Sequence, residues 1–263
     1  MRRYVKLVAV QLRISIASAI AYRANFVIEG VMTIAWLGLT LLPLLVLFGG
    51  GRKMVAGWDA PSALIVIAYF TAVRAVLEGV VSPSIVSLVE RIRSGAFDYV
   101  LLKPVDAQFQ VSAGSFEPWK LLDLAAAIAL AVIAFVKRGY GPELGDVALG
   151  IAMFGAGVAA MYALWIACAA ASFWVVRLDN LVYLLSAIFD IGRWPIQVLP
   201  GLWRILFTFV IPVAIMTTYP AMALLGKLDA ATALAVIAGA LVMLALSRLL
   251  WRAAIRNYTS ASS

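Results

Sequence analysis

Val147-Ala-Leu-Gly-Ile-Ala-Met-Phe-Gly-Ala-Gly-Val-Ala-Ala-Met-Tyr-Ala-Leu-Trp-Ile-Ala-Cys-Ala-Ala-Ala-Ser-Phe-Trp-Val-Val176 runs for thirty residues without a charge. A helix needs only about 20 apolar residues to cross the hydrocarbon core of a bilayer. The run is therefore read as a membrane span, and its surplus length predicts tilt or an extension into the interface. Ala152, Ala156 and Ala160, and again Ala163, Ala167 and Ala171, repeat every fourth residue, a spacing that lets helices approach closely.

The rest of the chain agrees. Of 263 residues, 65% are hydrophobic and 13% charged, against roughly 45–50% and about 25% in soluble domains. The mean hydropathy is +1.02. These figures exclude a soluble enzyme, a disordered chain and a disulfide scaffold. There is no histidine, which removes the commonest general base and metal ligand. Cys168 is the one cysteine and sits in an alanine-rich run, so it reads as a packing residue.

Working outward gives an all-α membrane protein of six spans in a single domain, residues 1–263. Residues 1–25 are read as not apolar enough to cross. Arg2, Lys6 and Arg13 fall within about 40° of one another on a helix, and Val5, Val8, Leu12 and Ile16 cover another face. This predicts an amphipathic helix lying at the cytoplasmic interface; a signal peptide is disfavoured because its apolar stretch is short and a full span follows at once. Span one is Phe26 to Phe48, ended by Gly49, Gly50 and Gly51. Span two runs from Pro61 to about Ser87, span three from Leu121 to Val136, span four within Val147 to Val176, and span six from Ala230 to about Leu246.

Two readings stay open between spans four and six. In one, Leu181 to Gln197 is interfacial and Ile205 to Leu225 is a straight fifth span. In the other, Leu181 to Trp194 is a short fifth span. Residues 195–226, broken by Pro200, Pro212 and Pro220, then form an external re-entrant pair of half-helices. Lys and Arg number fifteen against five between the two sides in the first reading, and thirteen against seven in the second. Both place the termini in the cytoplasm. The net charge of +8 thus reads as orientation rather than as nucleic-acid binding.

No phosphate-binding G-x-x-x-x-G-K-[ST] loop, G-x-S-x-G, H-E-x-x-H or C-x-x-C occurs. Arg74 and Glu78 stand one turn apart inside span two. A lone charge in hydrocarbon is costly, so they are expected to pair or to face the protein interior. Their placement and the proline-broken region would also suit an ion-coupled secondary transporter, but no internal inverted repeat is visible. The loop of residues 88–120 carries Glu90, Arg91 and Arg93, a break at Ser94-Gly95, an apolar pair Leu101-Leu102, and a stop at Lys103-Pro104. An apolar knob on a polar surface is a docking element or an interfacial helix on lipid.

The run Ile92-Arg-Ser-Gly-Ala-Phe-Asp-Tyr-Val-Leu-Leu-Lys-Pro104 resembles the loop between spans two and three of ABC transporter permeases of the type-2 exporter class. So do Arg23-Ala-Asn25, Phe173 to Asn180, Trp194 to Arg204, Phe209 to Val213, Tyr219-Pro-Ala221 and Tyr258 to Ser263. The resemblance covers nearly the whole chain. It implies a transport subunit that binds no cofactor itself and works with a separate cytoplasmic ABC ATPase, in two copies, which uses ATP and Mg. It implies a second permease, as a homodimer or a paralogous heterodimer, and a bacterial inner-membrane location. It assigns Glu90, Arg93, Gly95, Leu101, Leu102, Lys103 and Pro104 to a cytoplasmic coupling helix. It favours the external re-entrant reading, with Pro195, Pro200, Pro212 and Pro220, and it names no substrate.

Overall fold

The computed structural model describes residues 2–21, 23–51, 53–112, 114–174 and 185–258. Among them the chain is helical throughout, apart from turns and one isolated β-bridge, Val55 to Trp58. In order the helices are α1 (Arg2–Ala21), α2 (Arg23–Gly49), α3 (Ala60–Val76), a π segment (Leu77–Val81), α4 (Ser82–Arg93), α5 (Asp98–Leu101), α6 (Ala107–Ser112), α7 (Lys120–Arg138) and α8 (Leu144–Ala171). Then come α9 (Gly201–Ile205), a second π segment (Leu206–Val210), α10 (Val213–Met216), α11 (Thr218–Leu224) and α12 (Ala230–Arg256). The first residues of the disputed fifth element, the motif beyond Trp174 and the tail beyond Tyr258 lie outside the described residues.

Among the described residues five stretches are long and apolar enough to cross a membrane: Tyr4–Ala21, Val27–Gly49, Ala60–Ile92, Leu144–Ala171 and Ala230–Arg256. A sixth is reached only if one bent helix pair counts as one span. This set corrects the sequence reading at both ends of the scale. Tyr4–Ala21 is apolar enough after all, because Lys6 and Arg13 are its only charges. The stretch expected as span three is missing from the set, because α7 carries Lys120, Asp123, Lys137 and Arg138 at its ends.

The half-buried stripe of α1 is Val8, Gln11, Ser15 and Ala19, so the small and polar residues face the protein. Val5, Leu12, Ile14, Ile16 and Ile20 point outward. Of the apolar face expected to meet lipid, Val5, Leu12 and Ile16 are outward and Val8 is half-buried.

The long α8 is the central post. Its buried Ala156 and Ala160 pack against Ala233, Val236 and Ala240 of α12, the close approach that four-residue alanine spacing permits. On another face a β-carbon at Gly157 would stand 2.9 Å from the Met216 Cα, so glycine is what lets α10 cross α8. Between α9 and α11 the chain is not straight: residues Gly201–Thr208 and Val213–Leu224 meet at 63°. The straight fifth span of the first reading does not form. Pro195, Pro200 and Pro212 each stand at the N-cap of the turn that follows them, and Pro220 lies in the first turn of α11. A proline lacks the amide hydrogen that a helix interior needs, and these positions do without it.

Candidate functional site: a charged seam and an exposed knob

The charged seam starts where the second span departs from α geometry. Residues Leu77–Val81 form a single π turn, an insertion found often at functional sites. The carbonyl of Gly79 stands four residues before Pro83, which has no amide hydrogen to give it, and it accepts instead from the Glu117 amide at 2.8 Å. A β-carbon at Gly79 would lie 3.1 Å from the Lys120 Cβ. Glycine here therefore lets the start of α7 come alongside Glu78.

Arg74 and Glu78 pair as their spacing foretold, Arg74 Nε donating to Glu78 Oε1 at 2.6 Å. They do not stand alone. Lys120 donates to the other Glu78 oxygen at 2.7 Å and lies 3.2 Å from Asp123. Arg74 also reaches Asp190 at 3.7 Å, and Arg193 reaches the same carboxylate at 2.9 Å. The Arg193 guanidinium sits 5.6 Å above the Phe70 ring. Three cations thus meet three carboxylates across the second span, α7 and the turn at 190–193. Each charge that is expensive in an apolar medium has an opposite neighbour.

This seam separates two hollows. One of about 300 Å3 is lined by Glu29, Trp36, Phe70, Lys120 and Asp123 together with Arg74 and Glu78. The other, of about 190 Å3, shares Arg74 and Glu78 and adds Ser82, Trp165 and Asp190. Asp123, to which the sequence reading gave no role, is part of the seam. Lys120, Asp190 and Arg193 were not singled out either. Their only local signal is the three-residue spacing of each acid–base pair.

The knob in the loop of residues 88–120 is smaller than the resemblance implies. Glu90 and Arg93 belong to the end of α4, which continues the second span by hydrogen bonding as far as Arg93. The Arg93 side chain lies outside what is described. Gly95 takes φ of +75°, the left-handed turn that glycine adopts at a helix end. The chain then makes a single helical turn, Asp98–Leu101. That turn is split by burial. Phe97 and Val100 point inward and are 0% and 2% exposed. Tyr99, Leu101 and Leu102 point outward, at 71%, 41% and 80%. Lys103 and Pro104 follow, also exposed.

Phe97 enters a cluster of rings at the base of the molecule. Phe173 and Tyr258 each stand 5.3 Å from it, and Trp251 stands at 6.4 Å, all edge-on, the arrangement that aromatic quadrupoles favour. Further on, Asp106 receives both terminal nitrogens of Arg248 from α12. That bond holds the Asp106 carboxyl below the ordinary carboxylate range. Burial pushes the Glu117 carboxyl up from its usual value.

Among the described residues no cluster of His, Cys, Asp or Glu could hold a metal ion. What the described residues offer is two hollows lined by charge and an exposed knob held by a buried anchor.

No curated protein and no solved structure matches the chain. Residues 34–262 match the family described as ABC-2 family transporter protein, a stretch that includes the seam, the knob and the bent pair. The chain therefore belongs to the ABC-2 transporter family and is a multi-pass membrane permease, a transport subunit rather than a catalytic one.

Proposed function

We propose that this permease is the membrane half of an ATP-driven exporter. It docks a separate cytoplasmic ABC ATPase through Tyr99, Leu101, Leu102 and Lys103. The observation that carries the reading is the split burial of one turn: Leu102 is exposed while Phe97, five residues earlier, is wholly enclosed. Large exposed apolar side chains on a rigidly anchored turn are what a partner's groove takes up.

In this reading two ATPase copies bind and hydrolyse ATP with Mg, and two permeases pair, as identical or paralogous chains. Both termini are cytoplasmic, and α1 rests at the inner face of a bacterial inner membrane. The bent pair, within residues 195–226, is an external re-entrant element. Closure of the ATPases pushes on the knob, and the seam at Arg74, Glu78 and Lys120 lines the route that opens outward. The family membership weighs against an ion-coupled secondary carrier, which would need no such knob.

The test is co-expression with candidate cytoplasmic ABC ATPases of the same genome, followed by purification through a tag on the permease. A stable complex that hydrolyses ATP in lipid is expected. A permease that purifies alone, and moves solute on an ion gradient, would overturn the reading.

A further inference from the structure

A single helical turn transmits force poorly by its own stiffness, because three or four residues make almost no helix of themselves. The knob is such a turn, and Gly95 swings it out of line with α4. Motion imposed at Leu101 and Leu102 must therefore leave the loop through tertiary contacts. The strongest polar ones converge on one residue of the last helix.

Arg248 grips Asp106 with both terminal nitrogens, the two-pronged geometry that only the planar guanidinium gives. The same guanidinium donates to Gln108 Oε1 at 2.7 Å. Gln108 Nε2 donates to the Tyr162 hydroxyl on α8 at 3.1 Å. Ser112 Oγ donates to the Gln108 carbonyl at 2.7 Å and also lies 2.7 Å from the Tyr162 oxygen. A serine hydroxyl has one hydrogen, already committed to that carbonyl. The Tyr162 hydroxyl must then donate to Ser112. The donors and acceptors form a closed directional chain from α12 through the loop to α8, in which each bond polarises the next.

We infer that Arg248 is the positioning residue that joins the docking loop to the last helix, so that a push on Leu101 and Leu102 reaches α12 through Asp106 and Gln108. The inference rests on the proposed docking of an ATPase. It adds a specific route: α12 follows the knob, with the rings around Phe97 as the apolar half of the same joint. Arg248 touches neither ATP nor cargo.

Amide hydrogen exchange on the purified permease alone, then on its complex with the ATPase, tests it. In the permease alone, Arg248→Gln should raise exchange across residues 97–112 about tenfold, as local opening becomes easier. The charge swap Arg248→Asp with Asp106→Arg should bring it back. Arg248→Lys keeps the charge but loses the fork, and should fall between the two. In the complex, a non-hydrolysable ATP analogue should alter exchange in the loop and at the cytoplasmic end of α12. In Arg248→Gln the ATPase should still co-purify and the loop still respond, while the α12 response is lost. Wild-type exchange in the Arg248→Gln loop, or an α12 response that survives the substitution, would overturn the inference. A wild-type permease that binds no ATPase would instead overturn the docking, and the first arm would still decide the joint.

Discussion

Glu78 accepts a hydrogen bond from Lys120 at 2.7 Å across 42 residues of chain, and the approach exists because the next residue, Gly79, has no side chain to fend Lys120 off. The seam thus depends on a glycine as much as on its charges. Gly79→Ala should press on the Lys120 stem and loosen the pair, lowering stability by about 1–3 kcal/mol as an overpacked contact does. Glu78→Gln removes the partner of two cations at once, whereas Arg74→Gln leaves Glu78 still held by Lys120. Glu78→Gln should therefore lower the thermal unfolding temperature in detergent more than Arg74→Gln does. The reverse order would remove Glu78 from the centre of the seam.

The crossing of α8 and α10 makes a second, purely steric prediction. A β-carbon at Gly157 would meet the Met216 Cα at 2.9 Å, while at Gly155, on the same helix, nothing lies within 4 Å. Gly157→Ala should destabilise by about 1–3 kcal/mol. Gly155→Ala should be neutral or stabilise by up to about 1 kcal/mol, since alanine suits a helix better than glycine. Parallel thermal melts of the two variants check this, and equal behaviour would contradict the crossing.

The ring cluster predicts the largest effect of a single truncation. Phe97 is wholly enclosed, and Phe97→Ala leaves a cavity among Phe173, Trp251 and Tyr258. A loss of about 3–5 kcal/mol is expected, seen as a lower unfolding temperature and as protease cleavage within residues 94–104. Phe97→Leu should recover most of it.

Asp106 gives a pH dependence with a definite sign. Its carboxyl is held below the usual value of 3.8, first by the bond from Arg248. A carboxylate whose folded value is lowered stabilises the fold above the unfolded value, and the contribution fades as pH falls through the folded one. The loop should resist proteolysis equally at pH 8 and pH 5 and open only below 3.8. Because the pair is about a third exposed, the effect is modest, roughly 1 kcal/mol or less. Asp106→Asn should be more open than the native protein at pH 5 and above, and show no such step.

The spans at α2, α3, α8 and α12 were legible from sequence, α8 most plainly, since nothing else explains thirty residues without a charge. What was misjudged lay at their ends. The second span continues to Ile92 and the last to Arg256, because helical hydrogen bonding persists after the hydrocarbon requirement ends. Glu90 and Arg93 were therefore taken for the start of the knob when they close a long helix. Stretch α1 was judged too polar, yet with only Lys6 and Arg13 it is apolar enough to cross, while the charges at the ends of α7 leave it out of that set. The pairing of Arg74 with Glu78 could be read from their spacing. Lys120, Asp190 and Arg248 could not, since no local pattern ties Arg248 to Asp106 across 142 residues.

The central claim is that the exposed half of the turn at 98–101 seats an ATPase. Replacing Leu101 and Leu102 together with aspartate leaves the buried anchors Phe97 and Val100 untouched, so the permease should fold with an unchanged unfolding temperature. The account expects the co-expressed ATPase to disappear from the tagged, purified permease. Recovery of the ATPase at the wild-type ratio would contradict it.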